Sequence, residues 1–533
     1  MDKINFKAIV FLTILVSLAY FNSLNNQFVS DDIFALTKDK TINSITYVTQ
    51  QPFAFIRASF NYLCNKTFGL TPVFFRLFNI FFHLGSVLAA YFLLRLLTGE
   101  RTAFFAASIF AVHPVAVESV TWISGGIYSQ YAFFLLLSFL LFVRSLGDQR
   151  LYRFSLLAYL LSLASHDMAM VLPLILNTYL LLYKMPRSSW KKVFPFFLLS
   201  VFWLIVVMPK LGHRIGTLQS VYYQRPNILE YVYSIPAVIV SYIGIIFWPG
   251  PLSLHHYSSG FSQNELLIKS AIFLLLILLF VATLKRCRRV WFWFLFFIIS
   301  LLPTLSTIGL SAVLAERYVY LGSVGIFAII AITMNYICEK KGLKLPLYVF
   351  FSILLLLLLG RTVLRNADWR DEVSLCAATL KTDPGSFHAH NSLGVAYSRQ
   401  GNFSLAEGEF IRAIGINPMN PNPYHNLANV YMEKGEFDKA LDYYTKAISR
   451  DPGMWQSYRN SAGIYFKEGK FSAARDNIIR AIEINPNDAG LHMNLGLAYI
   501  KLNDIDRARH EFEAALRLDP GFQPAKKALL GLN

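Results

Sequence analysis

The chain divides into two parts according to how its apolar residues are spaced. Up to about residue 365, long apolar runs recur, of which AIFLLLILLFVATL (271–284) and LYVFFSILLLLLLG (347–360) are typical. A helix needs about 20 residues to cross about 30 Å of hydrocarbon, and the runs with their flanks reach that length. The pattern therefore predicts a multi-helix membrane domain over residues 1–365. The predicted spans lie near residues 6–23, 73–97, 102–118, 130–147, 154–166, 168–184, 194–209, 267–284, 290–305, 318–336 and 345–361.

The remainder of the chain repeats with a period of 34 residues. A proline closes each repeat, and a tyrosine and two small residues recur in the same register. These positions are Pro384, Pro418, Pro452, Pro486 and Pro520; Tyr397, Tyr431, Tyr465 and Tyr499; Gly394, Ala428, Ala462 and Gly496; and Ala406, Ala440, Ala474 and Ala508. This is the tetratricopeptide-repeat (TPR) pattern, in which helix pairs stack into a solenoid. We predict an all-α protein in which a linker (366–384) joins the polytopic transmembrane helical domain to a TPR α-solenoid (385–533) of about four repeats and a capping helix.

Lysine and arginine favour cytoplasmic loops, and this preference sets the predicted topology. The basic loop clusters are Arg95 with Arg101; Arg144, Arg150 and Arg153; Lys184, Arg187, Lys191 and Lys192; Lys285, Arg286, Arg288 and Arg289; and Lys340, Lys341 and Lys344. All of them face the cytoplasm only if the apolar stretch 232–248 makes no net crossing, so we predict that it is re-entrant or interfacial. About eleven crossings then place the first loop (24–72) and the TPR domain on the same outer side. Twelve spans with the repeats inside are the alternative, which requires one basic cluster to face the wrong way.

Composition supports a membrane class and argues against others. The 533 residues are 55% hydrophobic and 15% charged, with a mean hydropathy of +0.45, which is too apolar for a soluble chain of this length. The net charge is +17, but many basic residues lie in short loops, so we predict no nucleic-acid partner. The sequence carries no phosphate loop, no HExxH or GxSxG motif, and no dinucleotide fingerprint in a suitable context.

Two adjacent carboxylates follow the first span. Asp31 and Asp32 lie in FVSDDIF, among apolar and aromatic residues at the predicted outer edge of the membrane. Adjacent carboxylates near such an interface have at least one raised pKa, which suits a general base. The alternative is a helix N-cap with a solvated neighbour.

Three further polar positions lie at predicted outer ends of spans. Glu118 follows the third span in FAVHPVAVESVTWISGG, where a carboxylate is costly unless it is paired or functional. His166 and Asp167 form a candidate second acidic site, for which a simple polar turn is the alternative. Arg317, in LAERYVYLGSVG, has a planar fork that suits a lipid phosphate, and a structural pair with Glu316 is the competing explanation.

Asparagine recurs in the predicted TPR groove. Asn426, Asn460 and Asn494 stand one repeat apart on the first helix of their repeats. Arrays of this kind use such asparagines to hold the backbone of an extended peptide, and we predict peptide binding there. Solvation of the inner face is the alternative.

Six segments of the chain become recognisable as a set. In order they are FVSDD, PVFFRLFNIFFH, HPVAVESVTWISG, SHDMAMVLPLIL, FWPGPLSLHHYS and ERYVYLGSVG. With these segments the chain resembles the transmembrane and TPR-containing O-mannosyltransferases and their bacterial relatives, which are GT-C glycosyltransferases. The resemblance spans almost the whole chain, and the combination of motifs is far more specific than any one of them.

The resemblance implies a multi-helix transferase that uses a polyprenyl-phosphate-linked sugar. Asp31 or Asp32 becomes the catalytic base, and Glu118 positions the acceptor or the donor. Arg317, together with His256, stabilises the donor phosphate. The resemblance also implies that the TPR array faces the lumen or periplasm, and a bacterial inner membrane is the expected location. The residues leave open whether the outer acidic groups bind a divalent cation or act as a base, and no other cofactor is predicted.

The chain departs from the family pattern at two places. After HPVAVESVTWISG the family usually continues with an Arg and an Asp, whereas this chain has Gly126, Ile127 and Tyr128. A frequent Ser-Lys-Glu is replaced by SHD, which leaves His166 and Asp167 as the polar substitutes. Both departures bear on the identity of the donor and on activity.

The main hypothesis is transfer of a sugar from a membrane-lipid donor, a polyprenyl phosphate, to a Ser or Thr hydroxyl of an exported protein that the TPR groove binds. A one-step displacement inverts the anomeric carbon. Two alternatives are a non-catalytic membrane scaffold and a GT-C transferase that modifies glycolipids. A pure anchor does not need acidic residues at several outer positions, and a glycolipid transferase leaves the repeats without a purpose.

Overall fold

The protein is helical throughout the part of the chain that its computed structural model describes, which is residues 5–37, 39–49, 51, 54–146, 148–221, 228–250, 252, 261–305, 314–342 and 344–532. No β-strand occurs within these ranges. The chain forms two compact units, Met1–Asp383 and Pro384–Asn533. The predicted all-α class is therefore confirmed.

The first unit consists of long helices joined by short turns. The longer helices are α1 (Phe6–Tyr20), α2 (Phe55–Phe68), α3 (Pro72–Thr98), α4 (Glu100–Val112), α5 (Ile127–Arg144), α6 (Gln149–Leu163), α7 (Leu172–Leu182), α8 (Phe194–Val221), α9 (Ile228–Phe247), α10 (Gln263–Thr283), α11 (Arg288–Leu301), α12 (Tyr320–Lys341), α13 (Lys344–Asp368) and α14 (Glu372–Thr382). Single helical turns occur at Thr46–Thr49, Val117–Val120 and Arg187–Trp190. Of the residues 366–384 between the two predicted domains, most are helical and lie in α13 and α14.

Local sequence signals set where these helices begin and end. Asn5 caps α1, because its side chain accepts a hydrogen bond from the backbone N–H of Ala8 at 3.2 Å. Pro72 is the first residue of α3, a position at which the missing N–H costs nothing. Gly99 ends α3 with a φ of +97°, which favours glycine, and lets α4 start at the next residue.

The helices have the lengths and compositions of membrane spans. Within the described ranges, eight helices are long and apolar enough to cross a membrane, or up to nine if the bent pair Glu100–Val112 and Pro114–Val120 is one span. This pair bends by 55°, and Pro114 stands at the break. Asp167–Leu182 and Val232–Phe247 are shorter apolar helices. The polytopic transmembrane domain is thus confirmed.

A helix occupies the position of every predicted span. The shorter predicted spans, 154–166 and 168–184, correspond to α6 and to the apolar helix Asp167–Leu182. The stretch 232–248 falls on α9. Eleven crossings, and a stretch 232–248 that makes no net crossing, stay predictions, since length and composition alone do not orient a helix in a bilayer.

The core of the first unit lies where α3, α4, α5 and α12 pack together. His83 of α3 and Tyr320 of α12 are hydrogen-bonded at 2.7 Å, and both rings pack against Phe110 of α4. The contact fixes the first residue of α12. It thereby fixes Glu316 and Arg317, which lie in the turn directly before that helix.

The second unit alternates the first (A) and second (B) helices of four repeats and ends in one further helix. In chain order they are α15 (Phe387–Arg399), α16 (Phe403–Ile416), α17 (Asn422–Glu433), α18 (Phe437–Arg450), α19 (Trp455–Lys467), α20 (Phe471–Ile484), α21 (Ala489–Lys501), α22 (Ile505–Leu518) and α23 (Gln523–Leu530). A Cβ on Gly394 would lie 2.6 Å from the Phe410 ring, and one on Gly496 would lie 2.4 Å from the Phe512 ring. These glycines therefore allow the A and B helices to approach closely, as the repeat pattern predicts.

The turns between the A and B helices keep the same period. Gly401, Gly435 and Gly469 have φ values of +76°, +78° and +73°, and Asn503 takes the place of glycine in the fourth repeat with a φ of +60°. Asparagine tolerates this left-handed conformation better than most residues. The backbone of the turn is therefore conserved from repeat to repeat even where the residue changes.

Candidate functional site

Asp32 is a buried residue that ties the first loop to the turn after the bent helix pair. One carboxylate oxygen accepts hydrogen bonds from the backbone N–H of Ser124 at 2.7 Å and from its hydroxyl at 2.5 Å. The other oxygen lies 3.4 Å from the backbone nitrogen of Val29. Burial raises the pKa of Asp32 to about 6, although these hydrogen bonds and the charge of Arg76 act in the opposite direction. The Asp32 carboxylate is thus buried and hydrogen-bonded within the protein.

Asp31 differs from its neighbour because its side chain is exposed. The surrounding protein desolvates it enough to raise its pKa above the ordinary value of 3.8, and the positive charge of Arg317 opposes that rise. The charge of Arg317 therefore acts on this carboxylate. Of the two predicted catalytic aspartates, Asp31 is the one that a substrate can reach.

Arg76 holds the first loop against the same turn. Its Nε donates to the carbonyl oxygen of Thr121 at 3.0 Å, and its two terminal nitrogens donate to the carbonyl oxygens of Asn26 and Gln27. The side chain is completely buried. A guanidinium that bonds to three backbone carbonyls thus ties the start of the first loop to the turn at Thr121.

Asn79 and Arg57 complete this clamp. The amide nitrogen of Asn79 lies 3.0–3.2 Å from the carbonyl oxygens of Val120, Trp122 and Ile123. Its amide oxygen accepts a hydrogen bond from Arg57 at 2.6 Å, and Arg57 also donates to the carbonyl oxygen of Ile123. The shape of the turn at 120–123 is therefore set by side chains from α2 and α3.

Glu118 and Arg317 form a buried ion pair. The backbone N–H of Arg317 donates to Glu118 Oε2 at 2.8 Å, and the guanidinium donates to Oε1. The guanidinium also lies 4.8 Å from the centre of the Tyr318 ring and 5.6 Å from that of Trp122. Two residues to which the resemblance gives separate roles are therefore in direct contact.

Glu316, the sequence neighbour of Arg317, has an ion-pair partner in another helix. Glu316 is paired with Arg365 of α13, at 3.0 Å, and both side chains are buried. Arg365 also contacts Asp368 at 3.0 Å. Glu316 and Arg317, which the competing explanation paired with each other, thus each have a buried ion-pair partner in a distant segment.

His166 and Asp167 lie beside the same cluster. His166 Nδ1 is 2.7 Å from Asp167 Oδ1, and the imidazole ring lies 5.1 Å from the Tyr128 ring. Tyr128 in turn hydrogen-bonds with Arg317 and lies 6.0 Å from the ring of Tyr318. The candidate second acidic site is thus connected to the Glu118–Arg317 pair through Tyr128.

Two predicted elements of the site, His256 and a divalent cation, have other outcomes. His256 lies outside the described residues. Within the described ranges no group of three or more His, Cys, Asp or Glu side chains could hold a metal ion. Sequence reasoning missed Arg57, Arg76, Asn79 and Ser124. Arg76 and Asn79 lie one turn apart in the apolar PVFFRLFNIFFH segment, and both are buried. Polar residues within a predicted membrane span mark a functional or structural site, so this pair was the available signal.

Two of the three predicted groove asparagines bond to the preceding repeat. The amide nitrogen of Asn426 donates to Asn391 at 3.0 Å, and that of Asn460 donates to Asn429 at 2.9 Å. Asn494 is exposed. The ladder therefore links successive A helices, and peptide binding by it stays a prediction.

The fold defines the class of this protein, an integral membrane protein with a C-terminal TPR solenoid. Residues 54–213 match the family model described as dolichyl-phosphate-mannose-protein mannosyltransferase. Residues 357–421, 421–454, 463–503 and 489–522 match tetratricopeptide-repeat models. The chain thus resembles the TPR-containing protein O-mannosyl-transferases, as its motifs predict.

Individual relatives agree with these matches. Protein O-mannosyl-transferase F38B6.6 of Caenorhabditis elegans is 26% identical over 447 residues, which is 76% of this chain and 63% of the relative. Protein O-mannosyl-transferase TMTC3 of Mus musculus is 23% identical over 494 residues, 80% of this chain and 53% of the relative. The chain thus spans between half and two thirds of the length of these relatives. A crystal structure of MamA protein covers 28% of this chain, and 81% of MamA, at 22% identity and a TM-score of 0.26.

Proposed function

We propose that the protein is a membrane glycosyltransferase that moves a sugar, mannose in the first instance, from a polyprenyl phosphate to Ser or Thr hydroxyls of exported proteins. The observation that carries the proposal is the exposed Asp31 carboxylate within reach of the charge of Arg317, which Glu118 holds in place. The matched family model and the named relatives support the same reaction class.

Asp31 acts as the base in this mechanism. Its raised pKa brings the carboxylate closer to the pH at which it works, which favours proton transfer from the acceptor hydroxyl. The hydroxyl oxygen forms a bond to the anomeric carbon while the bond from that carbon to the phosphate oxygen breaks. The proton moves to Asp31, the polyprenyl phosphate leaves with the electron pair, and the configuration at the anomeric carbon inverts.

Arg317 stabilises the departing phosphate. Its guanidinium is held by Glu118 and lies against two aromatic rings, so it is oriented before the substrate arrives. A fixed cation at the point where negative charge develops contributes more than one that must reorganise. Asp32 is a positioning residue, because its hydrogen bonds to Ser124 hold the backbone that carries Asp31.

The second unit binds the acceptor polypeptide in this proposal. Its A helices carry a ladder of amide side chains, among them Asn426, Asn460 and Asn494, which offer hydrogen bonds to a peptide backbone. An acceptor held there must lie on the side of the membrane at which Asp31 reacts. We therefore place the first loop and the TPR unit on the same extracytoplasmic face, which is the periplasm if the host is bacterial.

Substitution of Asp31 tests the function directly. Membranes that contain the full chain are given polyprenyl-phosphate mannose labelled in the sugar, together with a Ser/Thr-rich peptide. We expect Asp31→Asn to lower the transfer rate at least about 100-fold, since general-base catalysis contributes at least that much. Asp32→Asn should lower it less, because the asparagine oxygen still accepts from Ser124.

Asp39 provides a matched control in the same loop. Its carboxylate accepts hydrogen bonds from the backbone N–H and the hydroxyl of Thr41, at 2.8 and 2.6 Å, and asparagine keeps this acceptor. Asp39→Asn should therefore transfer sugar at the wild-type rate. Wild-type transfer by Asp31→Asn at equal expression would contradict the proposed base, and a wild-type protein that transfers no sugar would favour the scaffold.

A further inference from the structure

An aromatic cluster adjoins the Glu118–Arg317 pair at the start of α5. The rings of Tyr128 and Tyr131 lie 5.1 and 5.6 Å from the imidazole of His166, and 6.2 Å from each other. Tyr128 and Tyr131 are one turn apart on α5, whereas His166 belongs to the turn that follows α6. Three rings from two separate segments therefore meet beside the residue proposed to hold the donor phosphate.

The first turn of α5 carries unused hydrogen-bonding capacity. The Tyr131 hydroxyl and both polar atoms of the Gln130 amide are buried and have no hydrogen-bond partner among the described residues. A buried polar atom without a partner is costly, and native proteins keep few of them. A ligand rich in hydroxyl groups would supply what is missing here.

The cluster is graded from buried to accessible. Tyr131 is completely buried and Tyr128 is 7% exposed, while the side chains of His166 and Asp167 are 15% and 41% exposed. Asp167 and His166 thus form its open side, and Tyr131 lies at its inner end. Tyr128 hydrogen-bonds with Arg317, so the cluster directly contacts the residue that is proposed to bind the donor phosphate.

We propose that Tyr128, Tyr131 and His166 form the subsite for the sugar ring of the lipid-linked donor. The inference rests on the proposed function and assigns the part of the site that it leaves open. Aromatic faces pack against the C–H face of a pyranose, while the Tyr131 hydroxyl bonds to a sugar hydroxyl. A hexose whose anomeric carbon lies near Arg317 thus has its ring against Tyr128.

Binding measurements separate the sugar from the lipid phosphate. The full chain carrying Asp31→Asn, which prevents turnover, is titrated with polyprenyl-phosphate mannose and with unsubstituted polyprenyl phosphate. Adding Tyr131→Phe or His166→Ala should weaken binding of the mannose-bearing lipid about three- to ten-fold, the range of one hydrogen bond or ring contact. Binding of unsubstituted polyprenyl phosphate should not change.

Tyr159→Phe is the matched control. Tyr159 is also a buried tyrosine, on α6, but its hydroxyl is hydrogen-bonded to Ser200 at 2.5 Å. Tyr159→Phe should lower the melting temperature and leave binding of both lipids intact. Tyr131→Phe should melt at or above the wild-type temperature, because the hydroxyl that it removes has no partner among the described residues.

Two outcomes would overturn the subsite. One is unchanged binding of the mannose-bearing lipid by Tyr131→Phe, and the other is an equal loss of both lipids, which would locate the effect in phosphate binding. Failure of the wild-type protein to transfer sugar, with the binding pattern as expected, would instead refute the proposed reaction and leave the sugar subsite in place.

Discussion

Gly126 offers a sensitive test of the clamp around the candidate site. A methyl group at this position would lie 1.8 Å from Oδ1, 2.2 Å from Cγ and 2.5 Å from Nδ2 of Asn79. Real side chains do not approach so closely, so Asn79 would have to move. Asn79 cannot turn aside cheaply, since its amide holds three carbonyl oxygens and accepts from Arg57.

The cost follows from the bonds that would be lost. Each buried hydrogen bond contributes about 1 kcal/mol, and more when a partner stays buried without a replacement. The amide nitrogen of Asn79 has two hydrogens, which its three carbonyl acceptors share, and its oxygen accepts one more hydrogen bond from Arg57. Displacing Asn79 loses about three hydrogen bonds and should therefore lower the free energy of unfolding by about 3 kcal/mol in Gly126→Ala. Denaturant titration of the purified full chain in mixed micelles measures this difference.

Two variants show whether the clash is the cause. Gly360 lies inside α13 with nothing within 4 Å of an added Cβ, so Gly360→Ala should be neutral or stabilise by about 0.5–1 kcal/mol. Asn79→Ala removes the side chain that Gly126→Ala would strike. The double variant should then be little worse than Asn79→Ala alone. If the losses of the single variants simply add, the reasoning is refuted.

Two further predictions concern buried charge. The pKa of Asp32 is about 6 in the folded protein, against an ordinary value of 3.8, so between these pH values the folded state binds a proton that the unfolded state has lost. The contribution of Asp32 to stability should therefore fall by about 3 kcal/mol as pH rises from about 4 to 6. The difference in unfolding free energy between wild type and Asp32→Asn should change across that window, and a constant difference would contradict the raised pKa. Arg365→Met removes the arginine that pairs with buried Glu316 and should cost about 3–5 kcal/mol. Most of this loss should be restored when Glu316→Gln is added, and equal stability of the single and double variants in the same titration would show that the pair does not matter.

The parts of the fold that were predictable are those with a period. Apolar runs of span length and a 34-residue repeat predict the long apolar helices of the first unit and the helix pairs of the second, because each of these helices must bury an apolar face at a regular interval. They do not predict α2, which lies in the predicted first loop, or α14, which lies in the predicted linker. The close approach at Gly394 could be foreseen for the same reason. Asp31 and Asp32 could likewise be selected as candidates, since an acidic pair among apolar residues stands out in the sequence.

The arrangement of the site was not predictable, because it depends on contacts between distant segments. Glu118 and Arg317 are 199 positions apart, and nothing local to either residue indicates the other as its partner. Local reasoning instead suggested the adjacent Glu316, which bonds to Arg365 of another helix. It also treated Asp31 and Asp32 alike, although tertiary contacts bury one and expose the other.

The clamp formed by Arg57, Arg76 and Asn79 has a consequence for how this region can change in evolution. These donors recognise main-chain oxygens, and every amino acid supplies the same one. Side chains at 120–123 can therefore be substituted without loss of these hydrogen bonds, and the backbone of the turn keeps its conformation. The residues that fix the conformation of this turn lie in other helices, more than 40 positions away.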